Sequence, residues 1–517
     1  MANRNLFKSL VGRLLPATNA VNKESAPAYA YEPRHALAQY AATGCLNATF
    51  YASAGDQLKA VLALCAEVEP EFIAKTALYA RERGLMKDMP ALLCAVLAAR
   101  DVRLLERVFP RVVDNAKMLR NFVQVVRSGA VGRKSLGSAP KRMVRDWLEA
   151  RDEATLFNSS VGRQPTLADI VRMVHPRPRT KEREALFGYL VGREHDAGAL
   201  PPAVRRFEAF KAGDRAETPD VPFQMLTALD LTTAEWAAVA RRASWQTTRM
   251  NLNTFARHGV FAVPGMTETI AQRLSDPARV ARARVFPYQL MAAYTSAGAR
   301  VPAAVREALQ EAMEHATRNV PEVDGVVYVC PDVSGSMMSP VTGYRRGSST
   351  AVRCVDVAAL VAATVLRKNP RAAVMPFEEK LVRVDLNPRD SVMTNARLLA
   401  SAGGGGTNCS APLTSLNARR AAGDLVIYVS DNQSWVDARG GRGTALMREW
   451  NAFRARNPSA RLVCIDLQPY GTTQAQERED ILNVGGFSDQ VFEVIAEFAA
   501  GRLDSGHWVG RVESVEL

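Results

Sequence analysis

The sequence predicts two kinds of domain in tandem, an all-α amino-terminal region and a doubly wound α/β carboxyl-terminal domain. Three observations predict this. At 517 residues the chain is longer than one hydrophobic core usually serves. From about residue 35 to 320 apolar residues recur at helical spacing, with few alternating β-branched runs. After Pro321 the period shifts to short Val/Ile-rich runs separated by helical stretches, the pattern of a buried, mostly parallel sheet covered on both faces. The expected division is an N-terminal segment over 1–20, a helical region over 21–320 and an α/β domain over 321–517.

The helical region is read segment by segment. In "PEFIAKTALYARERG", Pro70 suits a first helical turn, Ile73, Ala77 and Ala80 share a face, and Gly84 is a natural stop. "DMPALLCAVLAARD", "VRLLERVFPRVV", "NAKMLRNFVQVVRSG" and "PKRMVRDWLEA" follow at once as further helices. Consecutive amphipathic helices on short turns suggest a helix-pair solenoid of HEAT type. An irregular helical domain fits the local pattern as well.

In the second half, "GVVYVCPD", "RAAVMPFEE", "LVRVDL", "DLVIYVSD", "RLVCIDLQ" and "QVFEVIAEF" read as strands. "AVRCVDVAALVAATVLRK" and "GTALMREWNAFRARN" read as the helices between them. In such folds ligands bind beyond the carboxyl ends of the strands. The first strand runs straight into "CPDVSGSMMS", which presents Asp332, Ser334 and Ser336 at alternate positions. "SAGGGGTNCS" brings Thr407 out of four glycines, and "YVSDNQSW" ends a strand at Asp431. Two carboxylates and three hydroxyls form an all-oxygen set, which suits a hard divalent cation, Mg2+ above Zn2+. Ser and Asp also serve as turn formers and helix caps after strands. A nucleophilic serine is the weaker reading, because "DVSGSM" is not G-x-S-x-G and His507 has no orienting acid evident in sequence. An aspartyl-phosphate enzyme would carry a second acid where this chain has Ser334.

These residues, D-x-S-x-S, a Gly-preceded Thr and a strand-terminal Asp, resemble the metal-ion-dependent adhesion site of von Willebrand factor A domains. The resemblance implies a cation that an acidic side chain of a partner protein completes, so the loop grips and does not hydrolyse.

A net charge of +13 and a pI near 9.6 make a polyanion, nucleic acid before membrane, the first partner to consider. Seven cysteines, odd in number and never spaced C-x-x-C, argue against a disulfide framework or a zinc cluster and fit a reducing compartment. Lys8 and Arg13 interrupt the apolar start of "MANRNLFKSLVGRLLPATNA", against a signal peptide, and no stretch has the length of a membrane span. The expectation is a cytoplasmic protein.

The basic residues cluster. "RSGAVGRKSLGSAPKRMVR" gathers Arg127, Arg133, Lys134, Lys141, Arg142 and Arg145 around a Gly/Ser-rich turn. "TLADIVRMVHPRPRT" opens with a capping-box pair, Thr166 and Asp169, and presents Arg172, His175, Arg177 and Arg179 where Pro176 and Pro178 end the helix. Such loops suit phosphate contacts, which supply affinity but little sequence choice. A charge run is also what an ordinary solvated face looks like, and a histidine before proline is also what a helix cap looks like. Aromatic residues are 7% of the chain and show no base-stacking platform, so backbone and shape recognition would dominate.

These stretches, with "ATNAVNKESAPAYAYEPRHALAQYAATGCLNATFYAS", "SWQTTRMNLNTFARHG" and the linkage to "DVSGSM", resemble the TROVE family, the Ro autoantigen and its bacterial relatives. The likeness runs from about residue 20 to near the carboxyl terminus. It implies a ring of helical repeats with the A domain across its ends, small noncoding Y-type RNA on the outer surface and single-stranded ends of misfolded RNA in the hole. It further implies a role in RNA quality control without enzymatic activity and an exoribonuclease partner; the chain itself is expected to be a monomer. "HPRPR" matches a family position used for RNA contact. The alternatives are a cation-dependent protein adaptor without RNA function and a metal-dependent phosphohydrolase.

Overall fold

The computed structural model describes residues 15–43, 46–162, 164–317, 320, 322–323, 325–344, 352–438, 443–486, 489–503 and 506–517. Cys45 and the first fourteen residues of the expected N-terminal segment lie outside them. The chain forms two compact units, one of Met1–Val68, Val285–Ala292 and Met313–Val515, the other of Glu69–Arg284, Ala293–Ala312 and Glu516–Leu517. Residues 21–68, which the sequence places with the helical region, thus fold with the α/β domain.

The first unit opens with β1 (Ala20–Val21) and β2 (Pro27–Ala30), an antiparallel pair with Ala20 opposite Ala28. Helix α1 (Pro33–Thr43) buries every residue from His35 to Thr43. Helix α2 (Ala54–Glu67) starts at a capping box made by Ser53 and Asp56.

The second unit is helical, beginning α3 (Pro70–Glu82), α4 (Asp88–Arg100), α5 (Val102–Val112), α6 (Ala116–Arg127), α7 (Ser138–Glu149), α8 (Glu153–Asn158), α9 (Leu167–Val174) and α10 (Lys181–Val191). Pro70 holds the first helical position of α3, as its fixed φ favours. The amphipathic spacing decides the packing: α5 buries Leu105, Val108, Phe109 and Val112, and α6 buries Met118, Leu119, Phe122, Val123 and Val126. Most helices pack on those one or two places along, α3 on α4 and α5, α4 on α6, α5 on α7 and α9 on α7 and α10, while α9 also reaches α6 three places back.

The α/β part contains β3 (Val327–Pro331), β4 (Ala373–Val374), β5 (Leu425–Ser430), β6 (Arg461–Asp466), β7 (Thr472–Thr473) and β8 (Ile481–Gly485). Five of these form a parallel sheet in the order β4-β3-β5-β6-β8. After β3 the chain goes to one edge, then returns to build outward from β5. The switch point therefore lies between β3 and β5, which pair Pro331 with Val429. β7 joins a separate sheet, pairing Thr473 with Tyr29 of β2, so the amino-terminal hairpin is bonded to this unit. At Gly485 of β8 a Cβ would lie 3.1 Å from the Gln39 Cα, so α1 packs directly on this strand.

Two expected strands are corrected. "LVRVDL" forms no strand beyond an isolated bridge of Leu381 to Phe377. "QVFEVIAEF" lies in a helix, Asp489–Ala499. Its buried residues Val491, Phe492, Val494, Ile495 and Phe498 follow the 3.6-residue period, which outweighs the β-branched composition. The last sheet strand, "ILNVG" in β8, was not anticipated. Among the described residues no helix is long and apolar enough to cross a membrane.

Candidate functional site

The chain leaves β3 through Asp332, whose amide N donates to the Val429 carbonyl at 3.0 Å and ties the turn to β5. Asp332 Oδ1 accepts from the Ser334 amide at 2.9 Å, and Oδ2 accepts from the Ser430 hydroxyl at 2.6 Å. Ser334 and Ser336 lie on one side of this turn, their Oγ atoms 3.4 Å apart. Asp431, at the end of the neighbouring strand, lies close to Ser336 and Asp332. The structure therefore gathers Asp332, Ser334, Ser336 and Asp431 at the switch point.

Thr407 arrives on the glycine run. Gly335 N donates to the Gly405 carbonyl at 2.9 Å, and the Thr407 carbonyl accepts from Trp435 N at 3.0 Å and Val436 N at 3.2 Å. The loop is thereby held to both aspartate loops by main-chain bonds. Gly403 shows why glycine is needed: its φ is 81°, and a Cβ there would lie 2.4 Å from the Val333 carbonyl oxygen.

Burial and mutual repulsion dominate the electrostatics. Desolvation pushes the Asp332 carboxyl upward. Asp431 is also raised, by burial first and then by the charges of Asp332 and Asp466. Asp466, at the end of β6, is pushed up to about 7 by burial, and its Oδ2 has no hydrogen-bond partner among the described residues. Buried carboxylates held this close are unfavourable unless a positive charge joins them or a proton neutralises one. Hydroxyls and carboxylates are the donor set a hard cation takes, so the residues fit the ion read from the sequence. Among the described residues no group of three or more His, Cys, Asp or Glu side chains is disposed to hold a metal, so hydroxyl ligands would be essential.

The basic residues converge in the helical unit. Arg127, at the end of α6, contacts Met173 Sδ at 3.0 Å, and Arg145 of α7 donates twice to the Val174 carbonyl at 3.2 and 3.0 Å. Both side chains thus meet the carboxyl end of α9, where His175 is exposed in a left-handed cap with φ 49°. Arg127 and Arg145 thus bring the two ends of the 127–145 stretch against the end of α9, beside 172–179.

Their duties differ. Arg133 bonds the Ala98 carbonyl near the end of α4, Arg145 the end of α9, and Arg172 the Val191 carbonyl at 2.6 Å. All three satisfy helix carboxyl-terminal carbonyls, a structural task the sequence reading did not foresee. Arg142 pairs with Glu106, Arg172 with Asp169 at 3.4 Å, and Arg179 with Glu149 at 3.2 Å. Lys134, Lys141 and Arg177 have no ion-pair partner among the described residues.

The sequence reading also missed Ser430, Asp466 and the amino-terminal residues around Asn22 and Tyr51. Asp466 had a signal, since "VCIDLQ" ends a strand in Asp as "YVSD" does. Asn22 and Tyr51 had none, because they meet partners hundreds of residues away.

An all-α unit joined to a parallel sheet with an oxygen-rich switch point defines a helical protein carrying a von Willebrand factor A domain. Residues 326–499 match the sequence profile described as the Ro60 vWA domain. The chain is 26% identical over 520 residues to the RNA-binding protein RO60 of Deinococcus radiodurans, covering 92% of this chain and 94% of that one. It is 22% identical over 248 residues to the RNA-binding protein RO60 of Caenorhabditis elegans, covering 46% of this chain and 37% of that one. The crystal structure of the Deinococcus radiodurans Ro (RSR) protein has the same fold, with a TM-score of 0.62 at 22% identity over 91% of this chain and 100% of that one. The chain is therefore similar to Ro proteins over most of its length, and its carboxyl-terminal part matches the Ro60 A domain.

Proposed function

We propose that this chain is an RNA-binding protein of the Ro type. The observation that carries the reading is the convergence of two separate basic stretches on the exposed end of α9, with Lys134, Lys141 and Arg177 free of acidic partners among the described residues. Relatives named as RNA-binding proteins support it. Phosphate contact through these cations gives affinity without strict sequence choice. The finer reading rests on the family resemblance: Y-type RNA on the outside of a helical ring, single-stranded ends of misfolded RNA in its hole, and an exoribonuclease partner in RNA quality control.

The A domain is proposed to hold a divalent cation, Mg2+, through Asp332, Ser334, Ser336, Thr407 and Asp431. The ion would neutralise the buried carboxylates and offer an open position to an acidic protein group. The test of the RNA reading is filter binding of a structured noncoding RNA at graded salt. Steeply salt-dependent affinity is expected, and affinity that is absent or indifferent to salt refutes it. Turnover of a phosphoester that needs Mg2+ and is lost in Asp431→Ala would favour a phosphohydrolase instead.

A further inference from the structure

The proposed cation donors are closed off from solvent: Asp332 and Ser334 are 0% exposed, Asp431 1%, Thr407 2% and Ser336 6%. A site completed by another protein's carboxylate needs an open side. The residues placed over it belong to the same compact unit and come from the start of the chain.

Asn22 builds the cover. Its backbone N donates to the Ala26 carbonyl at 2.9 Å, and its Oδ1 accepts from Glu24 N at 3.0 Å and Ala26 N at 2.9 Å. The turn so formed is pinned beside Asp431. Asn22 Nδ2 donates to the Ser434 carbonyl at 2.7 Å, and Lys23 N donates to Gln433 Oε1 at 2.8 Å. Asn22 is itself 6% exposed, and β2 anchors the hairpin to β7. A second leg brings Tyr51 edge-on to Tyr470, ring centroids 5.4 Å apart. The Tyr51 phenol lies close to the Ser336 hydroxyl and to the Asp431 and Glu24 carboxylates.

We propose that the amino-terminal segment is an internal occupant of the cation site, with Tyr51 on Ser336 and Glu24 behind it standing where a partner's carboxylate would enter. This rests on the cation reading above. An acidic group from another protein then reaches the ion only after Tyr51 or the Asn22–Ala26 turn moves aside. Glu24 lies beside the phenol, positioned to accept a hydrogen bond from it.

The test uses the full chain with Mn2+ as probe ion and glutarate as probe carboxylate. Free Mn2+ is followed by electron paramagnetic resonance, and solvent access to bound Mn2+ by water proton relaxation. The wild type should bind Mn2+ with low relaxivity that glutarate leaves unchanged. Tyr51→Ala should raise the relaxivity about twofold by admitting water to the ion, and glutarate should then reduce it. Tyr51→Phe, which keeps the ring against Tyr470, and Glu24→Gln should each give part of that rise, and they carry the test if Tyr51→Ala fails to fold by circular dichroism. Wild-type relaxivity equal to that of the variants, with glutarate acting equally on all, overturns the occlusion while leaving the cation site intact. A wild type that binds no Mn2+, or an Asp431→Asn variant that binds it unchanged, overturns the cation reading itself.

Discussion

Removing the three unpaired cations together, Lys134→Ala, Lys141→Ala and Arg177→Ala, isolates the electrostatic part of RNA binding. None of the three makes an ion pair among the described residues, so their loss should leave the unfolding midpoint unchanged. Each phosphate contact contributes about 0.9 to the salt slope on a duplex and about 0.7 on a single strand, so the triple variant should lose about 2 to 3 from that slope. The same counterion argument gives a loss of about a hundredfold in affinity at physiological salt. Filter binding of one RNA from low to high salt, wild type beside variant, reads both quantities. An unchanged slope in a normally folded variant would refute the placement of RNA on this face. A fallen midpoint would show instead that the side chains support the fold.

Further outcomes follow from single contacts. Arg145→Ala removes two bonds to the Val174 carbonyl and should destabilise the helical unit by about 1–3 kcal/mol in urea unfolding, while costing less RNA salt slope than the triple variant. Asp466 is near 7 when folded against a reference of 3.8, so the folded form keeps a proton that the unfolded chain has released. Without divalent ion, stability should therefore fall as pH rises from about 4 to about 7, by a few kcal/mol, and Asp466→Asn should flatten that fall in pH-dependent melting. Gly403→Ala forces a Cβ onto the Val333 carbonyl and should abolish stabilisation by Mg2+ in thermal melting while RNA affinity is kept.

Much of this architecture is legible in the sequence because local signals and global packing agree. Helices α5, α6 and α7 carry strong 3.6-residue spacing, whereas α4 buries ten consecutive residues. The buried parallel strands β3, β5 and β6 are unbroken apolar runs. The aspartate and hydroxyl donors were legible because parallel strands release them at one end of the sheet. "QVFEVIAEF" misled because β-branched content and helical spacing compete within nine residues. The amino-terminal hairpin was illegible for another reason. Its strands are two and four residues long, and its partners Gln433, Ser434, Tyr470 and Thr473 lie more than 400 residues onward, beyond any local period. Arg133 and Arg145 illustrate the remaining gap. A basic run announces positive charge but not which arginines turn inward to bond a helix end.

Ultraviolet crosslinking of the native protein to the RNA that copurifies with it, with the attached peptides mapped by mass spectrometry, tests the central claim most directly. Crosslinks should fall on peptides spanning 127–145 and 172–179, around the end of α9. Copurification without RNA, or crosslinks confined to the α/β unit with none on those peptides, would contradict it.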